Sequence, residues 1–277
     1  MSTYFRTIHS FTINNNMSKK IKLSVLIIAL ISLSSLIFIA CTNSDQKEEE
    51  IFKTSAEVYA FAKKHSDGLK FSIEAYNNSL NLQKNSFLNR NETLDTLAVI
   101  NFFKSQSELF LSENPIEYNG SFIGMNYLLP VDDNFKMLSL KNAEEAEDLF
   151  NSNSTTNQYY KEIAILLEEK MNDHIAYKAG LDALFLRTQT EIENENDKIV
   201  VQLMIGVAYD SYMFWTNNGQ ETDRGRIKGT TILADISGAG SWGLFGMAAG
   251  PLGGVLMAIN GACINSGVSH ALSTILN

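Results

Sequence analysis

The sequence predicts an all-α protein, in which a multi-helix domain is followed by a glycine- and alanine-rich helical hairpin or bent helix. Two observations lead to this fold class. Apolar residues within residues 51–220 recur at steps of three and four behind helix-capping signals, which is the period of a helix and not of a strand. From Ile236 to Asn277 the chain holds nine of its 17 glycines and no Asp, Glu, Lys or Arg, and small residues recur there every four positions.

The overall charge argues against one class of partner. The 277-residue chain carries a formal charge of −9, and its first 40 residues contain four basic side chains and no acidic ones. The remainder therefore carries −13, and because a net anion gains nothing from meeting nucleic acid, we expect no nucleic-acid partner. The two cysteines, Cys41 and Cys263, provide neither a disulfide framework nor a cysteine-based metal site.

Residues 17–40 have the three parts of a signal peptide. Basic side chains open the segment, an apolar run from Leu23 to Ile39 follows, and a small residue stands directly before Cys41. Residues 1–16 precede this complete signal and show no pattern, so we interpret them as a mis-called start and leave them out of the fold prediction.

The end of the signal, Phe38-Ile39-Ala40-Cys41, resembles the lipobox of bacterial lipoproteins, where a peptidase cuts before the cysteine and the thiol carries diacylglycerol. The resemblance implies lipid on Cys41, a membrane as the partner of that lipid, and a location in the bacterial cell envelope, which we expect to be the outer membrane. The alternative is an uncleaved amino-terminal anchor with a coincidental cysteine. Both interpretations predict that the rest of the chain is exported.

Residues 41–50 are predicted to form an acidic, solvated tether, because no apolar side chain follows the cysteine before Ile51. The run Glu48-Glu49-Glu50 resembles the export signals that place some lipoproteins of Bacteroidetes-type bacteria on the outer cell surface. A plain linker is the alternative interpretation of the same residues.

The helical domain is predicted to span residues 51–220. Thr54 and Glu57 form a capping box that opens the first helix, and the apolar period resumes after Asp67-Gly68 to reach Leu82. Asn91-Glu92-Thr93 opens a second helix. Between Pro115 and Leu140 the helical period is lost among turn-forming residues, which favours irregular structure or a short hairpin.

Four further helices are expected before residue 220, to give six in all. Asn142 with Glu145 opens a helix that ends at Phe150, and residues 151–157 are predicted to form a loop. The remaining segments are amphipathic or apolar, with the last of them capped by Asp197: Tyr159 to Met171, Leu181 to Glu193, and Ile199 to Trp215.

The glycine-rich segment, residues 229–277, is predicted to form two helices, about 231–249 and 251–276, joined at Gly250-Pro251. Small residues at every fourth position would let another helix approach closely; the predicted helix-packing residues are Gly246, Gly250, Gly254, Ala258 and Ala262. The spacing resembles the glycine zippers of glycine-zipper membrane proteins and of two-peptide bacteriocins, which implies helix association in or at a membrane. Three interpretations stay open: a buried hairpin packed on residues 51–220, insertion in a bilayer, or a subunit interface in a homo-oligomer.

The sequence offers little sign of catalysis. None of the four histidines has a second ligand at metal-binding spacing, and His65 falls among polar residues at the end of a helical turn. No nucleophile elbow, phosphate-binding loop or dinucleotide fingerprint is present. We therefore expect no enzyme, no metal and no cofactor, although two carboxylates that converge in a cleft would revive an enzymatic role.

Two functional hypotheses follow. The first is a lipid-anchored envelope protein that binds or scaffolds another envelope component without catalysis. The alternative is a membrane-active or pore-associated protein that uses the glycine-rich segment. The two differ over one feature: the glycine-rich helices are buried in protein in the first and exposed to lipid in the second.

Overall fold

A computed structural model describes residues 51–82, 96–118, 121–123, 140–217 and 225–275, and these residues form an all-α fold, as predicted. The helices are α1 (Ser55–Leu82), α2 (Thr96–Glu113), α3 (Leu140–Ser152), α4 (Ser154–Lys170), α5 (His174–Glu191), α6 (Glu195–Asn217), α7 (Gly225–Gly246) and α8 (Pro251–Ile275). A short 3-10 helix, Met247–Ala249, precedes α8. Strands β1 (Ile116–Tyr118) and β2 (Ser121–Ile123) pair antiparallel with Ile116 opposite Ile123, where a short hairpin was one of the expectations.

Helix α1 begins at the predicted capping box but lacks the predicted interruption. The amide of Glu57 donates to Thr54 Oγ1 at 3.3 Å, and Glu57 Oε2 accepts from the Thr54 amide at 3.4 Å. The helix then continues through Gly68, because this glycine serves helix packing and not a turn: a Cβ there would lie 3.0 Å from Phe110 Cδ1 of α2. The predicted start of the next helix at Asn91-Glu92-Thr93 lies outside the described residues.

Side-chain caps set the starts of the middle helices. A single residue, Asn153, separates α3 from α4 where a seven-residue loop was expected, and its Oδ1 accepts from the Thr156 amide at 2.9 Å. Asp173 caps α5 in the same way. Asn194, and not the predicted Asp197, caps α6, because Asn194 Oδ1 accepts from the Asp197 amide at 3.1 Å.

Helix α6 runs through the centre of the domain, and residues 199–208 are all buried. Helix α1 runs in the same direction as α6, since Gly206 contacts Val58 and, further along both helices, Asp210 contacts His65. Helix α7 runs in the opposite direction, since the Cβ position of Gly243 lies 3.3 Å from Val200 Cγ1 while Asp235 meets Ser211. The start of α1, the start of α6 and the end of α7 therefore lie at one end of the bundle.

Helices α7 and α8 form an antiparallel hairpin and not a bent helix. Gly246 faces Gly253 near the turn, Gly238 faces Gly261 further away, and Thr231 Oγ1 lies 3.3 Å from Ser269 Oγ near the open end. Helices α1, α2 and α6 also pack on α8. Residues 51–277 form one compact unit, so the glycine-rich segment belongs to the helical domain that precedes it.

Candidate functional site

His65 lies in the core with a carboxylate on either side of its ring. Its Nδ1 is 3.0 Å from Asp210 Oδ2 on α6, and its Nε2 is 3.6 Å from Asp235 Oδ2 on α7. The side chains of His65 and Asp235 have no solvent exposure, and that of Asp210 is 12% exposed. We refer to these three residues with Ser66, Ser211 and Trp215 as the His65 cluster; it joins α1, α6 and α7.

Asp210 binds α1 through both of its oxygens. Its Oδ2 accepts from the backbone amide of Ser66 at 3.0 Å as well as from His65, and its Oδ1 accepts from Ser66 Oγ at 3.0 Å. Three donors from consecutive residues of one helix thus converge on one carboxylate of another. This contact fixes the position of α1 along α6.

Asp235 is bound more loosely. The hydroxyl of Ser211 donates to its Oδ2, and Trp215 Nε1 donates to the same oxygen at 3.4 Å. Asp235 Oδ1 and His65 Nε2 make no hydrogen bond within the described residues. The buried hydroxyl of Ser266 on α8 also lacks one of good geometry, although it lies close enough to act on the charge of Asp235.

Opposing effects act on the pKa values of the cluster. Burial by itself lowers the pKa of His65, but the hydrogen bond with Asp210 and the negative charges of both carboxylates outweigh it, so the pKa lies above its ordinary value of 6.5. Burial raises the pKa of Asp235 to about 6, although His65 and the Ser211 hydroxyl act to lower it. The cluster therefore favours a proton on His65 and opposes ionisation of Asp235.

The hydrogen bonds of the cluster are not those of a nucleophile and its base. The Ser66 hydroxyl donates to Asp210 and the Ser211 hydroxyl donates to Asp235; neither bonds to the imidazole. Activation of a serine by histidine requires that bond. The described geometry can hold a proton and tie three helices together.

Neutral polar groups connect α8 to the same region. The Cys263 thiol donates to the backbone carbonyl oxygen of His65 at 3.2 Å, and burial raises the pKa of this thiol. The Ser107 hydroxyl of α2 donates to Asn260 Oδ1 at 2.5 Å. The ring of His270 lies against that of Trp215, with centroids 5.6 Å apart, and burial lowers the pKa of His270. The uncharged helix α8 is thus held by neutral donors and acceptors.

The prediction that His65 belongs to the polar end of a turn is wrong. His65 follows buried Ala62 by three residues and precedes buried Leu69 by four, so it lies on the core-facing stripe of a continuous helix. Asp210 and Asp235 each interrupt an otherwise apolar stretch of helix. A lone acid in an apolar stretch and a histidine on a buried stripe are sequence signals that could have found the cluster.

Four of the predicted helix-packing residues are buried within the hairpin, and three of them lie at close contacts between its two helices. A Cβ at Gly246 would overlap the Gly253 carbonyl oxygen, and one at Gly254 would lie 3.3 Å from the Gly243 carbonyl oxygen. The Ala258 Cβ lies 3.3 Å from the Cβ position of Gly243, and Ala262 is completely buried. Two close approaches were not predicted: a Cβ at Gly238 would lie 2.6 Å from the Gly261 carbonyl oxygen, and a Cβ at Gly261 would overlap Trp242.

Gly250 is not a packing residue. It has a φ of +86°, and a Cβ added to it would meet nothing within 4 Å. It forms the turn between the 3-10 helix and α8, a backbone conformation that glycine adopts without strain. The predicted ridge of small residues is therefore interrupted at the turn and does not follow one helix face.

The features predicted to place the protein at a membrane are only partly within the described residues. Cys41, the signal peptide and the tether lie outside them. Within them one helical segment, Pro251–Leu272, is long and apolar enough to cross a bilayer, and 78% of its most apolar window is buried inside the domain.

The described residues contain no group of three His, Cys, Asp or Glu side chains that could hold a metal ion. Comparison with protein-family models, with curated proteins and with solved structures found no match.

Proposed function

We propose that the chain is a lipid-anchored protein of the bacterial cell envelope, and that its helical domain binds or scaffolds another envelope component without catalysis. The lipid on Cys41 is the anchor in this proposal. The glycine-rich hairpin is a structural part of the exported domain.

One observation carries the proposal. Among the described residues, the helical segment that is long and apolar enough to cross a bilayer, in α8, is covered by α1, α2, α6 and α7. Its buried faces meet glycine backbone, aromatic rings and neutral hydrogen-bonding groups, which are typical of close helix packing in a core. A domain folded in this way does not use α8 to attach to a membrane, and Cys41 after a lipobox-like sequence is the anchor that the chain offers instead.

Carbonate extraction tests the proposal. Residues 1–40 are replaced by a conventional cleavable export signal and Cys41 by alanine, and the chain with its own signal and Cys41 is the matched control. We expect the control to remain with the membrane and the Cys41→Ala form to be released as a helical, soluble protein. Labelled fatty acid should be incorporated into the control alone; a control without label would overturn the lipid anchor.

The second candidate is a membrane-active protein whose α7–α8 hairpin enters a bilayer. It is favoured by the absence of charged residues from 236 to 277 and by the length of α8. In the same extraction, a Cys41→Ala form that resists carbonate would support this candidate against the first. An enzymatic role has less support: the two carboxylates that converge on His65 are nearly inaccessible to a substrate, since Asp235 is fully buried and Asp210 is 12% exposed.

A further inference from the structure

The turn of the α7–α8 hairpin is apolar at the surface. The nine residues Leu244–Leu252, which we call the hairpin tip, contain no polar side chain. Ala248 is exposed and most of the others, such as Phe245 and Met247, are partly exposed. Phe245, Met247 and Leu252 pack on the core with part of their surface, and what remains exposed at the tip is apolar, whereas turns at a protein surface are usually polar.

The hairpin tip lies at the end of the domain where the tether enters. Gly243, just before the tip, packs at the level of Val200 on α6. The chain enters the domain at a nearby position along α6. The Phe52 carbonyl oxygen accepts from Gln189 on α5, and the next residue of α5, Thr188, accepts from Gln202 on α6. Residue 51 and the tip therefore lie near the same end of the bundle.

The tether limits how far this end can lie from a membrane that holds Cys41. Ten residues from Cys41 to Ile51 span at most about 35 Å when fully extended. That is close to the length of one bilayer-spanning helix, and a coiled tether is shorter. A lipid-anchored chain is thus attached to the bilayer by the end of the domain that carries the tip.

We propose that the hairpin tip is the surface through which the domain contacts the electrically neutral lipid of the membrane in which it is anchored. This inference rests on the proposed lipid anchor for its orientation. The tip itself carries no charged side chain, so the contact is apolar and takes zwitterionic lipid.

The test measures which end of the domain meets lipid. Residues 41–277 are coupled through the Cys41 thiol to a maleimide lipid in phosphatidylcholine vesicles, because Cys263 is buried and does not compete. An environment-sensitive fluorescent amino acid replaces Ala248 in one form. In the matched control it replaces Asn172, an exposed residue at the opposite end of the bundle, where the Tyr212 hydroxyl donates to the Met171 carbonyl oxygen. Circular dichroism confirms that both forms are folded, and brominated phosphatidylcholine then serves as the quencher.

We expect the probe at 248 to lose most of its fluorescence and the probe at 172 to keep nearly all of it. An unquenched probe at 248 would overturn the proposal in favour of a protein partner at the tip, and equal quenching at both positions would overturn the orientation. Replacing half of the lipid with phosphatidylglycerol should not increase the quenching. The anchor is imposed chemically here, so failure of natural lipidation and failure of the tip contact are measured separately.

Discussion

The Nδ1 atom of His65 lies 3.0 Å from Oδ2 of Asp210, although 145 residues separate the two in the chain. The same carboxylate accepts both the amide and the hydroxyl of Ser66, so one side chain of α6 holds two consecutive residues of α1. With Asp235 on the other side of the imidazole, this contact joins the first long helix of the domain to the glycine-rich hairpin. The stability of the fold should therefore depend on the charges of three side chains.

Replacement of His65 by glutamine should be strongly destabilising at neutral pH. The substitution removes the cation and leaves Asp210 and Asp235 facing one another in the core, and loss of one partner from a buried ionic group costs about 3–5 kcal/mol. The stabilisation from His65 is fully present below its ordinary pKa of 6.5 and is lost as pH rises through its raised pKa, so the deficit relative to the parent should be smaller at pH 9 than at pH 5. Denaturant unfolding at pH 5, 7 and 9 measures both effects, and His174→Gln, at an exposed histidine, is the control. A deficit of the same size at pH 5 and pH 9 would contradict this account.

Asp210→Asn should also destabilise the domain, by about 2–4 kcal/mol. An amide offers one acceptor oxygen where the carboxylate accepts from His65 and from both donors of Ser66. The imidazolium would then be left with Asp235 alone, at 3.6 Å. The free energy of unfolding at pH 7 is the measurement. A change smaller than that caused by Asp67→Asn, a half-exposed carboxylate that pairs with Lys63 on α1, would show that Asp210 does not position this helix.

In contrast to the two preceding substitutions, Asp235→Asn should stabilise the domain at pH 7. Burial raises the pKa of Asp235 from 3.8 to about 6, so the folded state binds this proton more tightly than the unfolded state does. The stabilisation from this group is complete below pH 3.8 and is lost as pH rises through 6, by about 3 kcal/mol in total. Because asparagine resembles the protonated acid, the variant should match the parent near pH 4 and exceed its stability at pH 7. A variant less stable than the parent at pH 7 would refute the assignment of a buried, costly charge.

The sequence was sufficient to predict the helices but not the cluster. Local signals such as the Thr54 capping box and the Gly250-Pro251 turn act within a few residues, and they predicted most helices, although α5 begins seven residues before the predicted Leu181 and α4 five residues before the predicted Tyr159. The partners of His65 are 145 and 170 residues away in the chain, so their convergence depends on how α6 and α7 pack, which no local pattern encodes. The ridge of small residues was predicted partly correctly, because periodicity identifies candidates for close packing but does not show that Gly250 lies in a turn.

The glycines of the hairpin should respond differently to alanine. Gly238→Ala places a Cβ 2.6 Å from the Gly261 carbonyl oxygen, and because backbone cannot move aside easily we expect a loss of about 2–3 kcal/mol. Gly254→Ala meets the flexible end of Met247, and the higher helix propensity of alanine should offset much of the cost, leaving a change below about 1 kcal/mol. Gly250→Ala places its Cβ in open space, but the positive φ at this position is strained for alanine, and we expect a loss of about 1–2 kcal/mol. Thermal or denaturant unfolding ranks the three, and a loss at Gly238 of less than about 1 kcal/mol would contradict the close backbone contact there.

The α7–α8 hairpin, which carries no Asp, Glu, Lys or Arg from Ile236 onward, is part of the core of the helical domain. Hydrogen exchange of residues 41–277 with Cys41→Ala, in detergent-free buffer without lipid, tests this claim most directly. We expect the amides of α8 to be as strongly protected as those of central helix α6, because both should open only when the whole domain unfolds. Rapid exchange throughout α8 beside a protected α6, with protection gained only when vesicles are added, would contradict the claim and make the hairpin a membrane element.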